Sequence, residues 1–184
     1  ADFDNVTSDL TVNALWKKGT FSGFKITNIV NGQEIIWDCD ENGTLTVSGT
    51  GCALIIGSEK EEEFAKYKNE IRKVIIKEGI VGIGSYTFKD CVNLSEVTFP
   101  KGLEIIYSSA FEGCVQLCQV EFPETLKEIG QSAFKGCIGI VKIELPESMK
   151  SLLEEAFSGC TGLKEVTLPE SLEYIDENVF NGCS

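Results

Sequence analysis

Apolar residues return at a fixed interval along the second half of the chain. A phenylalanine recurs every 23 residues, and a cysteine follows each phenylalanine three positions later. The four prolines of the chain keep the same spacing. A constant period of about 20 to 50 residues is typical of a solenoid, in which each repeat forms one stacked coil. The periodic positions are Phe88, Phe111, Phe134, Phe157 and Phe180, then Cys91, Cys114, Cys137, Cys160 and Cys183, and finally Pro100, Pro123, Pro146 and Pro169.

Each repeat follows the frame L-x-x-V-x-F/L-P-x-x-L-x-x-I-x-x-x-A-F-x-G-C. Its first segment alternates apolar and polar residues, which predicts a half-buried strand that ends at the proline. A second extended piece follows, as at residues 103–106, and the S-A-F-x-G-C segment predicts one helical turn between Ser109 and Gly113. Because a single repeat cannot bury its own apolar stripe, the repeats should stack. Stacking would place one position of each strand in a continuous core column, made of Val97, Val120, Ile143 and Val166.

The first 57 residues do not follow the repeat and predict a β-rich N-terminal cap. A cap is expected because the end of a solenoid otherwise exposes its core. Alternating residues predict strands over residues 24–30, 34–39 and 45–48, and Asn42-Gly43 predicts a two-residue hairpin turn between the last two. Residues 58–70 carry a charged run before Phe64 and predict a short helical join. The 23-residue repeats then occupy residues 71–184, and the last repeat is truncated.

Two repeated segments, AFEGCVQLCQVEFPETLKEIGQSAFKGC and AFSGCTGLKEVTLPESLEYIDENVFNGC, resemble the leucine-rich repeats of the BspA-like family. The resemblance extends from about Ile71 to the end of the chain. It implies a leucine-rich-repeat right-handed superhelix, mostly β with short helical turns. Proteins of this family occur on the surface of host-associated bacteria and some protozoa, and are associated with adhesion to host matrix proteins or to other cells.

The resemblance therefore implies a non-catalytic, secreted or cell-surface module that binds a host matrix or cell-surface protein. The alternative is a structural spacer or assembly segment of a larger surface protein, without a ligand of its own. These two functions differ in one feature, because a binding module needs a contiguous exposed aromatic or apolar patch on one face of the solenoid.

Charge and composition narrow the chemistry further. The chain has 184 residues with 29 acidic and 16 basic side chains, for a net charge of −13, and this field disfavours binding to nucleic acid. It has no histidine, which excludes Ser-His-Asp and Cys-His catalysis and imidazole metal ligands. No apolar run approaches the roughly 18 residues of a membrane-spanning helix, so we expect no membrane insertion. We therefore predict no enzymatic activity, no metal and no cofactor.

The cysteines and one acidic loop each have two possible interpretations: disulfides or free thiols for the cysteines, and a calcium-binding loop or a hairpin turn for the loop. The periodic cysteines could form disulfides, but parallel stacking points their Cβ atoms the same way, so buried free thiols are favoured. Cys39 and Cys52 could bridge within the cap, which the sequence leaves open. Residues 38–43 match the first half of an EF-hand loop, yet Gly49 stands where the loop needs its final glutamate, so a hairpin is favoured.

The candidate binding surface is the outward side of the strand column, where side chains vary without disturbing the core. The like-charged Glu121 and Glu144 should face each other there on adjacent strands, about 5 Å apart. The alternative is an ordinary solvated β-surface. The candidate residues are Lys73, Glu96, Thr98, Gln119, Glu121, Lys142, Glu144, Glu165 and Thr167.

Overall fold

The computed structural model describes residues 10–17, 20–30, 32–54 and 64–183. The strands of its first part are β1 (Leu10–Lys17), β2 (Thr20–Val30), β3 (Gln33–Cys39), β4 (Thr44–Gly49) and β5 (Gly51–Ala53). The first four pair in an antiparallel arrangement in the order β1-β2-β3-β4. The three strands expected in this region are confirmed as β2, β3 and β4 and are slightly longer than predicted, whereas β1 and β5 had not been predicted.

The hairpin between β3 and β4 is confirmed, but the predicted two-residue turn at Asn42-Gly43 is wrong. The loop has four residues, and its turn closes when the Gly43 N–H donates to the Asp40 carbonyl at 3.1 Å. The Asp40 carboxylate also accepts hydrogen bonds from the backbone N–H groups of Asn42 and Thr44, at 2.9 and 2.8 Å. Gly43 takes a φ of 81°, which suits glycine. This acidic loop is therefore a hairpin connection held by its own aspartate.

Two strands of the N-terminal part, β4 and β5, extend the two strand columns of the repeats by one coil. Strand β4 pairs in parallel with β6 (Lys73–Ile76), and β5 pairs in parallel with β7 (Ile80–Ile83). Trp37, fully buried on β3, packs in the same hydrophobic core as the repeats, since its ring lies 5.8 Å from the ring of Phe64 and 6.0 Å from that of Phe88. The described part of the predicted helical join is helical at residues 64–65 and in a 3-10 helix at Lys68–Glu70, and its residues 58–63 lie outside the described part.

The repeats stack as parallel coils, which we number 1 to 5 for residues 71–93, 94–116, 117–139, 140–162 and 163–183. The register between neighbouring strands is 23 residues, as in the pairing of Glu128 with Ile105 and Ser151. A strand column and a second column of shorter strands, most of them two residues long, result, so the predicted repeat fold is confirmed. The remaining strands are β8 (Glu96–Thr98), β9 (Ile105–Ile106), β10 (Glu128–Ile129), β11 (Lys142–Glu144), β12 (Ser151–Leu152), β13 (Glu165–Thr167) and β14 (Tyr174–Ile175).

The predicted helical turn in each repeat is wrong, because these residues form a third column of stacked turns. In repeat 2, the N–H groups of Ser109, Phe111 and Gly113 donate to carbonyls of repeat 3, each at 2.8 Å. Ser109 and Gly113 have φ values of 54° and 74°, outside the helical region. An α-helix would direct these N–H groups along its own axis and leave the interface between coils without hydrogen bonds. The left-handed residues turn them toward the neighbouring coil instead.

Phenylalanine rings and thiols fill the core, as the periodicity predicts. The rings of Phe111 and Phe134 stack 5.1 Å apart with an angle of 4° between their planes. The Cys137 thiol donates to the Phe111 carbonyl of the preceding coil at 3.1 Å, and Cys114, Cys160 and Cys183 repeat this contact. All eight cysteines are free, including Cys39 and Cys52. The interpretation of the periodic cysteines as buried free thiols is confirmed, with Cys183 only half-buried.

The expected core column is continuous only in part. Val97, Val120 and Ile143 are buried, but Val166 is 38% exposed. No described strand covers the far side of β13, so its inward residue remains open to solvent.

Candidate functional site

The nine candidate residues lie together on one side of the strand column, which we call the strand face. Lys73 and Glu96 are half-buried, and the other seven are exposed. Two pairs from neighbouring repeats form ion pairs, with Lys73 and Glu96 2.6 Å apart and Lys142 and Glu165 3.8 Å apart. The register that the sequence predicted therefore holds at both ends of this surface.

The strand column is interrupted between repeats 3 and 4, which sequence reasoning did not predict. The backbone N–H groups of Ser95, Cys118 and Lys164 each donate to the carbonyl 23 residues earlier, at 2.9, 3.3 and 2.8 Å. Val141 is the equivalent residue of repeat 4. Within the described residues, no hydrogen bond joins the backbone of residues 118–122 to that of residues 141–145.

The expected pairing of Glu121 with Glu144 is therefore wrong. Residues 119–121 form no strand and keep only a single bridge, between Gln119 and Glu96. Strand β11 pairs with β13 on one side, and its other edge has no partner strand in the described part of the chain.

The interruption coincides with two like-charged pairs of repeat-equivalent residues. Glu121 is the repeat equivalent of Glu144, and Glu124 is the equivalent of Glu147, so regular stacking would oppose two pairs of carboxylates. Like charges placed directly opposite each other destabilise a pair of strands. The first interface of the column instead carries the ion pair Lys73–Glu96. The interruption thus occurs where the sequence places two repulsions and no compensating ion pair.

The coils remain packed behind the interruption. In the second column of strands, the Lys150 N–H donates to the Lys127 carbonyl at 2.9 Å, and β10 pairs with β12 in the 23-residue register. The Phe134 and Phe157 rings, one from each of these two coils, also stack 5.3 Å apart. Repeats 3 and 4 are consequently joined at the core and the back, and opened only on the strand face.

The opening forms a cleft of about 830 Å³. Apolar side chains from both coils line it, with Val120 and Phe122 on repeat 3 and Leu145 on repeat 4. Carboxylates lie around them. The lining residues are Cys118, Gln119, Val120, Glu121, Phe122, Glu124, Val141, Lys142, Glu144, Leu145, Pro146, Glu147 and Thr167. A smaller depression of about 160 Å³ lies beside it, between repeats 2 and 3.

The cleft is strongly acidic. Of its four glutamates only Glu144 has an ion-pair partner within the described residues, and that partner is Lys142, the one cation in the lining. The Lys142 ammonium donates to Glu144 at 2.6 Å, and this hydrogen bond raises the pKa of Lys142. The lysine thus stays charged but is already engaged by Glu144 and Glu165. Glu121, Glu124 and Glu147 are left to interact with a ligand or with water.

The structure brings five of the nine predicted residues to this cleft: Gln119, Glu121, Lys142, Glu144 and Thr167. Sequence reasoning missed Phe122, Leu145, Glu124 and Glu147, which also line it. The two glutamates could have been found, because they occupy equivalent positions of repeats 3 and 4 and repeat the like-charge pattern of Glu121 and Glu144. The two apolar residues occupy the F/L position of the repeat frame, which gave no sign of a cleft; in the structure Phe122 is half-buried and Leu145 is buried.

The site offers surface for binding and no recognisable catalytic group. Cys118 is exposed in the cleft, but its thiol donates to the Ser95 carbonyl at 3.5 Å and the chain has no histidine to activate it. Among the described residues, no three His, Cys, Asp or Glu side chains come together as metal ligands would. No helix in that part of the chain is both long and apolar enough to cross a membrane.

Repeated coils with parallel strands define the chain as a leucine-rich repeat protein. Residues 60–184, more than half of the chain, match the family described as BspA type leucine rich repeat region, with 6 copies. The chain belongs to this family, which confirms the resemblance found in the sequence.

Solved bacterial structures share the fold. The chain is 24% identical to a leucine-rich repeat protein from Bacteroides ovatus, with a TM-score of 0.63 over 98% of this chain and 45% of that one. It is 21% identical to a leucine rich cell surface protein from Faecalibacterium prausnitzii, with a TM-score of 0.53 over 81% and 50% of the two chains. It is also 21% identical to the pneumococcal vaccine antigen PcpA, with a TM-score of 0.60 over 86% and 48%.

These likenesses show the fold alone. The chain spans about half the length of each of these three proteins or less. No curated protein matches the sequence.

Proposed function

We propose that this chain is a non-catalytic, protein-binding adhesion module of a secreted or cell-surface protein, and that it binds through the strand face. The observation that carries this proposal is the cleft between repeats 3 and 4. It combines an apolar lining with unpaired carboxylates and an unpaired strand edge, on the face where the solenoid tolerates variable side chains.

The physical cost of the cleft supports a binding role over a spacer role. A spacer gains from uninterrupted strand pairing, because every unpaired backbone group near the surface forgoes a hydrogen bond within the protein. Two pairs of like charges at one interface oppose that pairing. A sequence shaped only for stacking would place a lysine at one of these four positions, as it does opposite Glu96.

The experiment is a binding assay with purified host matrix proteins and cell-surface glycans over the immobilised chain. The variant Glu121→Lys with Glu144→Lys reverses two charges at the cleft. The matched control is Glu154→Lys with Glu177→Lys, because these exposed glutamates are also one repeat apart but lie on the turn column. Thermal melts of both variants establish that each still folds.

We expect at least one matrix protein to bind the wild type and the control, and to bind the cleft variant more weakly, most clearly at low salt. Equal binding to the cleft variant with an unchanged melt would place the binding surface elsewhere, on the turns or on the cap. Absence of binding to every protein and glycan tested would favour the spacer function instead.

A further inference from the structure

The cleft between repeats 3 and 4 contains an unpaired strand edge. Strand β11 hydrogen-bonds to β13 on one side, while its other edge faces the cleft. Val141, the residue before β11, lacks the backbone hydrogen bond that its equivalents in repeats 2, 3 and 5 make. It is 47% exposed. An unpaired edge of this kind is a template for an extended segment from another chain.

The charge of the cleft selects among such segments. Glu121, Glu124 and Glu147 have no ion-pair partner among the described residues, and Lys142 is held by two carboxylates. An acidic or neutral strand would bury these carboxylates without compensation, at a cost in desolvation. Lysine or arginine side chains would compensate them, and this complementarity also speeds association.

The shape of the cleft fits alternating side chains. Its volume of about 830 Å³ falls within the range of about 300–1,000 Å³ found for ligand pockets. Val120, Phe122 and Leu145 supply an apolar lining, and the glutamates stand around it. In an extended chain, successive residues point to opposite sides, so one set reaches the apolar lining while the other reaches the carboxylates.

Building on the proposed function, we propose that this cleft binds an extended segment of the partner protein in which apolar residues alternate with lysine or arginine. The segment lies along the unpaired edge of β11 and contributes backbone hydrogen bonds there. Its cationic side chains pair with Glu121, Glu124 and Glu147. Because the cleft is closed behind by the stacked rings of Phe134 and Phe157, the segment binds as one strand at the surface.

The test is a titration of the intact chain with a fluorescent eight-residue peptide, Val-Lys-Val-Lys-Val-Lys-Val-Lys, followed by anisotropy. The cleft variant is Glu121→Gln with Glu124→Gln, which removes charge at constant size. The matched control is Glu154→Gln with Glu177→Gln, since it makes the same change in net charge on the turn column. Spermine serves as a competitor that carries four positive charges and no peptide backbone, and a glutamate analogue of the peptide tests the sign of the charge.

We expect the lysine peptide to bind the wild type and the control equally, and the cleft variant about tenfold more weakly. The glutamate analogue should not bind, and spermine should compete poorly because it cannot pair with a strand edge. Equal binding of the lysine peptide to the cleft variant would overturn the inference, because the protein's overall acidity would then explain the attraction. Competition by spermine at the same concentration as the peptide would also overturn the inference, because the cleft would then bind cations without any backbone pairing to a strand.

The two proposals fail in different ways. If matrix-protein binding is lost in the lysine double variant while peptide binding does not depend on the cleft glutamates, the strand face binds a partner of other chemistry. If peptide binding depends on those glutamates while no matrix protein binds, the cleft inference holds and the adhesion function does not.

Discussion

The replacement of Phe134 by alanine tests the core register most directly. Phe134 is fully buried in the middle of the solenoid, where its ring stacks 5.1 Å from Phe111 and 5.3 Å from Phe157. Its edge also meets Phe122 at 5.6 Å, beneath the cleft. The substitution therefore removes a ring that contacts three repeats.

The magnitude follows from two contributions. Returning a buried phenylalanine side chain to water costs about 1.5–3 kcal/mol. The missing ring leaves a void of about 80–100 Å³, which costs about 2 kcal/mol more at the rate measured for core cavities. We expect the free energy of unfolding to fall by about 3.5–5 kcal/mol, and the melting temperature of a chain of this size to fall by about 7–20 °C. Because both interfaces of repeat 3 lose contacts, the transition should also broaden.

Urea and thermal unfolding, followed by circular dichroism, measure this change. Phe180→Ala is the matched control, since Phe180 is half-buried and stacks on a single ring, that of Phe157, at 5.8 Å. We expect this control to lose about 1–2 kcal/mol. A Phe134→Ala melt within a degree or two of the wild type, or a loss no larger than that of the control, would refute the assigned register.

Two further predictions concern the thiols and the interrupted strand column. Burial raises the pKa of Cys160 to about 12, and it raises the pKa values of the equivalent thiols Cys114 and Cys137 as well. A thiol reagent should therefore label exposed Cys118 in the native protein, and these three thiols only after unfolding. Fast labelling of the three in the native protein would contradict their burial. Since the unfolded chain ionises these thiols near pH 9 and the folded chain does not, stability should fall as the pH rises from about 9 to about 12. Hydrogen exchange should be faster at the Val141 amide than at the equivalent amides of repeats 2 and 5, because Val141 lacks their backbone hydrogen bond. The variant Glu121→Lys, which places a cation at the position equivalent to Glu144, should slow the exchange of the Val141 amide and add about 0.2–1 kcal/mol of stability. A protected Val141 amide in the wild type would refute the interruption.

The spacing of a few residue types predicted most of the fold. The 23-residue period of phenylalanine and cysteine fixed which residues of successive coils lie beside each other, because a solenoid has one register between its repeats. This predicted the stacking of Phe111 on Phe134 and the free state of the buried cysteines. The period did not predict the conformation of the turns. Local propensity alone predicts that Ser109 begins a helical turn. Its left-handed φ depends on hydrogen bonds to the neighbouring coil, which local sequence does not contain.

The cap shows the same division. Alternation and the Asn42-Gly43 pair predicted its strands and its hairpin from nearest neighbours in sequence. The parallel pairing of β4 with β6 joins residues separated by more than 25 positions, and no repeat links the two strands. Only the folded chain shows that the cap continues the sheet of the solenoid rather than simply covering its end.

The sequence by itself determined that Glu121 and Glu144 would be equivalent positions with like charges, and it placed both among the nine candidate residues. It did not determine how the chain would respond to that repulsion. Two responses were open, since the strands could stay paired at a small cost or separate while the core stayed stacked. The tertiary structure decided this, because the segments that carry Glu121 and Glu144 do not pair, while the stacked rings of Phe134 and Phe157 and the pairing of β10 with β12 hold the coils together from behind. The cleft is a property of that balance across the whole interface, and no single repeat encodes it.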